Sequence, residues 1–132
     1  MTSPLQVVAA VIERQGQILI GQRKRTAAKH ALKWEFPGGK VEAGETTEMA
    51  LMRELREELA IEAVIGPQVE SYEFYYPASE RATLLLFFRV TEFSGEPQNL
   101  DFEQILWVPL AELPDYDFLE GDVAFVRRLA IG

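Results

Sequence analysis

The segment from residue 46 to residue 59 has two chemically different faces if it forms an α-helix. Apolar side chains recur at the spacing of helical turns and form one stripe, which consists of Leu51, Met52, Leu55 and Leu59. Glu54, Glu57 and Glu58 form a second face about a third of a turn away, because residues three and four positions apart project on the same side. Thr46 or Thr47 is a suitable N-cap. The pattern therefore predicts a helix that packs its stripe on a core and leaves three carboxylates beside it.

The three glutamates are chemically suited to a hard divalent cation. Like charges at these spacings destabilise an isolated helix by about 0.2–0.5 kcal/mol per pair. Arg53 can reach Glu57 four residues further on, but it leaves Glu58 without a local partner. Mg²⁺ takes oxygen ligands and commonly shares them with substrate phosphates. The spacing is compatible with a metal site, and also with an ordinary charged helix face in solvent.

Length and composition indicate one globular domain spanning residues 1–132. Apolar residues make up 48% of the chain and charged residues 26%, which excludes intrinsic disorder and fibrous repeats. The absence of cysteine excludes disulfides and thiolate chemistry. The first residues lack a secretory signal pattern, and no apolar run is long enough to cross a membrane. We therefore expect a cytoplasmic protein.

Charge is distributed unevenly along the chain. The net charge of −8 disfavours binding to a nucleic acid polymer or to an anionic membrane. Residues 1–33 nevertheless carry a net charge of +5, whereas residues 34–132 carry −13. Either a solvated surface with segregated signs or an anion-attracting segment explains this asymmetry.

Local patterns predict an α+β fold with two main helices. Residues 7–12 and 18–20 are predicted to form a hairpin, and the basic stretch 23–33 is predicted as a loop because it lacks periodicity. A short strand at 34–36 is expected to end at Pro37-Gly38-Gly39. The remaining predicted elements are strands over residues 69–76, 82–91 and 106–108 and a helix over residues 122–130.

The spacing of residues around the first predicted helix is specific. Gly39 is followed after five residues by Glu45, and after seven more by the run Arg53-Glu54-Leu55-Arg56-Glu57-Glu58-Leu59-Ala60-Ile61. This arrangement resembles the Nudix box. One position departs from the motif, because Ala60 stands where the family has a glycine. That glycine lies where helices often end in a left-handed conformation, which costs alanine about 1 kcal/mol.

The resemblance covers nearly the whole chain and is closest to the MutT-type branch of the family, through residues 34–42 among others. It implies a mixed β-sheet sandwiched between helices (α/β/α). It also implies hydrolysis of a nucleoside triphosphate to the monophosphate and pyrophosphate with Mg²⁺ or Mn²⁺, in a monomer or homodimer. Clearance of a damaged nucleotide, such as 8-oxo-dGTP or a modified cytosine nucleotide, is one biological role that it suggests. Dinucleoside polyphosphates or nucleotide sugars as substrates, and a catalytically silent nucleotide-binding module, are the alternatives.

By this resemblance, the catalytic and metal-binding residues are Glu45, Arg53, Glu54, Glu57, Glu58 and the backbone carbonyl of Gly38. Among them, Glu45 and Arg53 orient the catalytic glutamates rather than touch the metal. A further carboxylate is expected shortly before Trp107, where Asp101 and Glu103 are the candidates. Asp101 is favoured as an added metal ligand or base.

The resemblance also predicts the residues that bind the nucleotide: Arg23, Glu35, Phe36, Gly39, Lys40 and Asp122. Arg23 would hold a phosphate or stack on the base. Phe36 and its neighbour Trp34 could instead belong to the core. An ionised Asp122 only accepts hydrogen bonds, which favours a base with an amino donor such as cytosine, although Asp122 could simply cap the last helix. His30 is assigned no role.

Overall fold

A long apolar run near the start of the chain forms β1 (Leu5–Arg14), the central strand of the molecule. A computed structural model describes residues 3–77 and 79–132. The other strands that it contains are β2 (Gln17–Gln22), β3 (Trp34–Glu35), β4 (Gly38–Lys40), β5 (Glu62–Val64), β6 (Gln68–Phe74), β7 (Thr83–Val90), β8 (Glu92–Ser94) and β9 (Gln104–Pro109). The helices are α1 (Thr47–Leu59) and α2 (Val123–Ile131), and short 3₁₀ turns precede α2 at Leu110–Asp115 and Glu120–Asp122.

In the described ranges, seven strands form one mixed sheet with β1 at its centre. The order along the sheet is β3-β2-β1-β7-β6, with β4 paired to β1 and β9 paired to β2. Strand β1 runs parallel to β7 and antiparallel to β2 and β4. The first half of β1 pairs with β4 and its end pairs with β2, so the sheet splits beside β1. The split leaves β4 as a separate short edge next to α1.

Both faces of β1 are buried, because a helix covers each side of the sheet. Val8, Ala10 and Ile12 lie in one core, which they share with the apolar stripe of α1. The intervening residues Ala9 and Val11 face the other core, which contains α2. A strand that is buried on both faces needs a continuous apolar run rather than an alternating pattern. The α/β/α arrangement implied by the family resemblance is thereby confirmed.

Most elements predicted from the local patterns are present. The hairpin of β1 and β2, the loop at 23–33, both helices and the strands β6, β7 and β9 form close to their predicted positions. Two details differ. The glycines at 38 and 39 were expected only to end a strand, whereas they form β4 by pairing with β1. Strands β5 and β8 were not predicted, because three residues each are too few to show a period.

Helix α1 begins and ends as the sequence suggests. Thr46 is the N-cap, and its hydroxyl accepts a hydrogen bond from the backbone N–H of Met49 at 3.1 Å. At the other end Ala60 adopts the left-handed conformation, with φ 56° and ψ 35°. Its N–H donates to the carbonyl of Arg56 at 3.1 Å. Alanine therefore keeps the turn that a glycine makes in the motif, at the conformational cost of its Cβ.

No helix in the described part of the chain is both long enough and apolar enough to cross a membrane.

Candidate active site

Strand β4 forms one wall of the site, and two glycines determine its shape. Gly38 has φ +155°, and a Cβ at this position would overlap the carbonyl oxygen of Val8. A Cβ at Gly39 would lie 2.6 Å from the carboxyl carbon of Glu54. The first glycine therefore lets β4 approach β1, and the second lets the helix carboxylate approach β4. No other residue fits either position without displacing its neighbour.

Two glutamates of α1 face this wall and contact each other. Glu58 is 8% exposed, and it accepts a hydrogen bond from the backbone N–H of Gly38 at 3.2 Å. Burial raises the pKa of Glu58 well above its usual range, and a hydrogen bond to Glu54 together with the charge of that neighbour raises it further. Burial and the adjoining carboxyl group of Glu54 therefore both favour the protonated form of Glu58. Such a pair is suited to exchange its proton for a cation.

The third glutamate of the motif lies apart from this pair. The side chain of Glu57 is 59% exposed, and its carboxylate accepts from Arg53 at 3.4 Å. Within residues 3–77 and 79–132, no three carboxylate or imidazole side chains come close enough to cage a metal ion. The convergence of Glu54, Glu57 and Glu58 on one cation thus stays a prediction, whereas the pairing of Glu54 with Glu58 is a feature of the fold.

Arg53 joins the loop before α1 to the catalytic face of the helix. Its Nε and Nη2 donate to the two carboxylate oxygens of Glu45 at 2.7 and 3.0 Å. Its Nη1 donates to Glu54 at 2.8 Å, and its Nη2 also donates to the carbonyl of Lys40 at 3.1 Å. The hydrogen bonds from Arg53 lower the pKa of Glu45 to about 2. The guanidinium thus holds the loop, β4 and Glu54 in one arrangement, which is the orienting position expected for Arg53 and Glu45.

A cavity of about 720 Å³ opens between β4, the basic loop and the segment before α2. Its charged and imidazole lining residues are Arg23, Lys29, His30, Lys40, Glu35, Glu58, Asp101 and Asp122. Basic groups and carboxyl groups are therefore present in one cavity, as a phosphate ligand with a cation would require.

The cavity separates the two candidates for the additional carboxylate. Asp101 lines it, and its negative charge acts on Glu35. Glu103 does not line it and instead accepts a hydrogen bond from the backbone N–H of Arg25 at 3.1 Å. Position therefore favours Asp101, in agreement with the sequence preference.

Arg23 and Glu35 form an ion pair on the cavity wall, with Nη1 at 3.3 Å from the carboxylate. Burial raises the pKa of Glu35 to about 7, although the charge of Arg23 opposes the shift. Arg23 is about one-third exposed, so it remains available to a ligand in the cavity. Lys40 is exposed at the rim of the cavity, where its ammonium can meet a phosphate.

The aromatic candidates belong mainly to the core. Trp34 is 7% exposed, packs edge-on against Tyr116 at 5.2 Å and is absent from the cavity lining. Phe36 is 3% exposed and packs edge-on against Phe87 and Phe125, but it also forms part of the cavity floor. Of the two, only Phe36 is placed to contact a ligand.

Asp122 is a buried acid at the inner end of the cavity. It is 5% exposed, and its side chain makes no capping hydrogen bond to α2, so the capping alternative is not realised. Burial raises the pKa of Asp122 to about 8, and the negative charge of Glu35 adds to the shift. Burial therefore favours the protonated form of Asp122, which can donate as well as accept. A protonated Asp122 would not by itself select a base with an amino donor, and the preference for cytosine stays a prediction.

Tyr76 is a cavity residue that sequence reasoning missed. Its phenol oxygen lies against Gly121, where a Cβ would collide with it, and the ring of His30 packs on its ring at 5.1 Å. The signal was present, because Tyr72, Phe74 and Tyr76 alternate along β6 and its extension and therefore share one side of the strand.

Comparisons with known proteins agree with this geometry. A family model described as NUDIX domain matches residues 2–129. A CTP pyrophosphohydrolase of Escherichia coli (strain K12) is 40% identical over 123 residues, which cover 93% of this chain and 89% of the relative. An 8-oxo-dGTP diphosphatase of Haemophilus influenzae is 37% identical over 126 residues, covering 95% and 90%. The solution structure of the E. coli ORF135 protein superposes with a TM-score of 0.84 at 38% identity, covering 95% of this chain and 87% of that one.

Proposed function

This chain belongs to the NUDIX family and is a Nudix hydrolase, and we propose that it hydrolyses a nucleoside or deoxynucleoside triphosphate to the monophosphate and pyrophosphate. The observation that carries the proposal is the Glu54–Glu58 pair beside the two glycines of β4, at a cavity that basic groups also line. The relatives named above act, by their names, on nucleoside triphosphates.

The residues present fit a divalent cation. A hydrogen-bonded carboxyl pair in a buried setting would both ionise if a cation replaced the shared proton, because an adjacent positive charge favours the charged forms. The ligands would be the carboxylates of the three motif glutamates, the carbonyl of Gly38 and the carboxylate of Asp101. When bound, Mg²⁺ or Mn²⁺ would neutralise charge on the phosphoryl oxygens and make water easier to deprotonate.

The chain's own residues supply the remaining steps. Arg53 holds the Glu54 carboxylate at 2.8 Å, where it accepts the proton of the attacking water. The water oxygen bonds to phosphorus, the bond from that phosphorus to the bridging oxygen breaks, and the bridging oxygen leaves with its electron pair. Arg23 and Lys40, which line the same cavity, bind the phosphates and align the triphosphate for attack.

Base recognition is assigned to Asp122 and Phe36. A protonated Asp122 offers one donor and one acceptor to the edge of a base, whereas Phe36 contributes an apolar surface. This pair accepts an oxidised purine as well as a cytosine, in line with the different substrates in the names of the two relatives. Clearance of damaged nucleotides is the corresponding biological role.

The test is pyrophosphate release from a panel of canonical, oxidised and methylated nucleoside triphosphates, with and without Mg²⁺. We expect Mg²⁺-dependent release and a ranking of kcat/KM values that singles out a modified or a cytosine nucleotide. Dinucleoside polyphosphates and nucleotide sugars belong in the same panel as competing substrates. Faster turnover of either class, or no release from any triphosphate, would contradict the proposal.

A further inference from the structure

The basic loop between β2 and β3, residues 23–33, adopts a conformation that is costly by itself. His30 and Leu32 have φ values of 56° and 64°, in the left-handed region that favours glycine. A Cβ in this conformation crowds the following carbonyl oxygen, so neither residue adopts it without a conformational cost. Backbone hydrogen bonds between Arg23 and Lys33 and between Leu32 and Arg23 close the base of the loop. The middle of the loop has no backbone partners in the sheet, so contacts within the loop and contacts from outside it both stabilise its shape.

The shape of the loop determines where its positive charges lie. Arg23 donates from Nε to the carbonyl of Lys29 at 3.2 Å, which folds the loop back toward the cavity. Arg23, Lys29 and His30 line the cavity as a result. A loop released from this shape would carry the same charge but would no longer direct it at a bound phosphate.

Besides Glu35 on Arg23, Tyr76 on His30 and Asp117 on Lys33, the loop has outside contacts at the start of β9. Glu103 accepts from the backbone N–H of Arg25 at 3.1 Å, and its own N–H donates to the carbonyl of Gln22 at 2.8 Å. Gln104 donates to the side-chain oxygen of Gln22 at 2.8 Å. Gln22 in turn donates to the carbonyl of Leu32 at 3.1 Å, beside one of the two left-handed residues. Glu103 thus holds the loop directly near its start, and Gln104 acts on its end through the side chain of Gln22.

We propose that Glu103 and Gln104 are positioning residues. They hold the basic loop in the conformation that lines the cavity and thereby determine the affinity for the triphosphate. Neither residue lines the cavity, so neither touches the reacting atoms. The inference rests on the proposed function, because the affinity in question is that for its substrate. It also gives Glu103 a role different from that of a metal ligand, which was the alternative left open by the sequence.

The experiment compares Glu103→Ala, Glu103→Gln and Gln104→Ala with the unchanged protein. Glu103→Ala removes a hydrogen bond to the loop, and Gln104→Ala removes the one that orients Gln22 toward the loop; each is expected to raise KM by about fivefold to tenfold, with kcat within about twofold. Glu103→Gln keeps an oxygen that accepts from the N–H of Arg25, so its KM should stay close to that of the unchanged protein. Glu96→Ala is the matched control, because it removes a glutamate–arginine ion pair with Arg14 away from the cavity.

A second readout does not depend on turnover. Hydrogen exchange of the backbone amides of residues 25–32 should be faster in Glu103→Ala than in Glu103→Gln, while the amides of α1 keep their rates. If the loop amides of Glu103→Ala exchanged at the unchanged rate, or if its KM were unchanged, the positioning role of Glu103 would be contradicted. If Glu103→Gln raised KM as much as Glu103→Ala and also required more Mg²⁺, Glu103 would be a metal ligand and not a positioning residue. Failure of the proposed function has a different signature, which is the absence of triphosphate turnover in the unchanged protein while the loop amides still respond to Glu103→Ala.

Discussion

Replacing Asp122 by asparagine is expected to change how the stability of the protein depends on pH. In the unfolded chain the pKa of an aspartic acid lies near 4, whereas burial raises the pKa of Asp122 to about 8 in the folded protein. Between these two values the unfolded chain loses the proton and the folded protein keeps it. The free energy of unfolding of the unchanged protein therefore falls as the pH rises from about 4 to about 8.

The size of the effect follows from the width of that window. Each pH unit between the two pKa values lowers the free energy of unfolding by about 1.4 kcal/mol. A rise from about pH 5 to about pH 8 therefore lowers it by about 4 kcal/mol through Asp122 alone. An asparagine side chain cannot ionise in this range. The free energy of unfolding of Asp122→Asn minus that of the unchanged protein should therefore rise by about 4 kcal/mol over that range. This rise does not depend on how far apart the two values lie at about pH 5.

The assay is chemical denaturation of both proteins at several pH values, with the difference between the two free energies of unfolding plotted against pH. Other groups that titrate in this range, such as Glu35, contribute to both curves and largely cancel in the difference. Asp115→Asn is the control, because Asp115 is exposed at the end of a 3₁₀ turn. Parallel curves for the unchanged protein and Asp122→Asn would refute the reasoning, since Asp122 would then be ionised or solvated in the folded state.

Three further substitutions test other parts of the structure. Ala60→Gly should raise the free energy of unfolding by about 1 kcal/mol in chemical denaturation, because residue 60 is left-handed at φ 56°; an unchanged or lower value would contradict this. Gly39→Ala should lower kcat by at least about tenfold by displacing the carboxylate behind it, whereas Gly44→Ala, with open space around its φ of +84°, should cost stability but not kcat. Arg53→Lys should lower both kcat and the unfolding midpoint, because an ammonium cannot reproduce the paired hydrogen bonds to Glu45; full activity would show that a single charge is enough.

The sequence predicted those elements whose form depends on residues close together in the chain. The cap at Thr46, the apolar stripe of α1 and the run of β1 all follow from residue types and spacing, and each has the predicted form. The left-handed turn at Ala60 was foreseeable for the same reason, since it depends on the helix end alone.

Features that depend on packing between distant segments were not predictable in this way. Asp101 and Glu103 have the same chemistry and lie two residues apart, and only the path of the basic loop places one in the cavity and the other against Arg25. The protonation of Asp122 depends on burial by elements far away in the sequence. Strand β4 needs β1 as a partner, which two glycines cannot reveal by themselves.

The central claim is that the buried Glu58 and the partly exposed Glu54 beside it give up a proton to a cation, and that the cation held there makes the hydrolysis possible. Its most direct test is the rate of pyrophosphate release as a function of Mg²⁺ concentration for the unchanged protein and for Glu58→Gln, which keeps the size of the side chain and removes its charge. We expect the rate of the unchanged protein to require Mg²⁺, and the rate of Glu58→Gln to be lower by about a hundredfold or more at every Mg²⁺ concentration, without a lower unfolding midpoint. A variant that hydrolyses the triphosphate within about tenfold of the unchanged rate, with the same Mg²⁺ dependence, would contradict the claim.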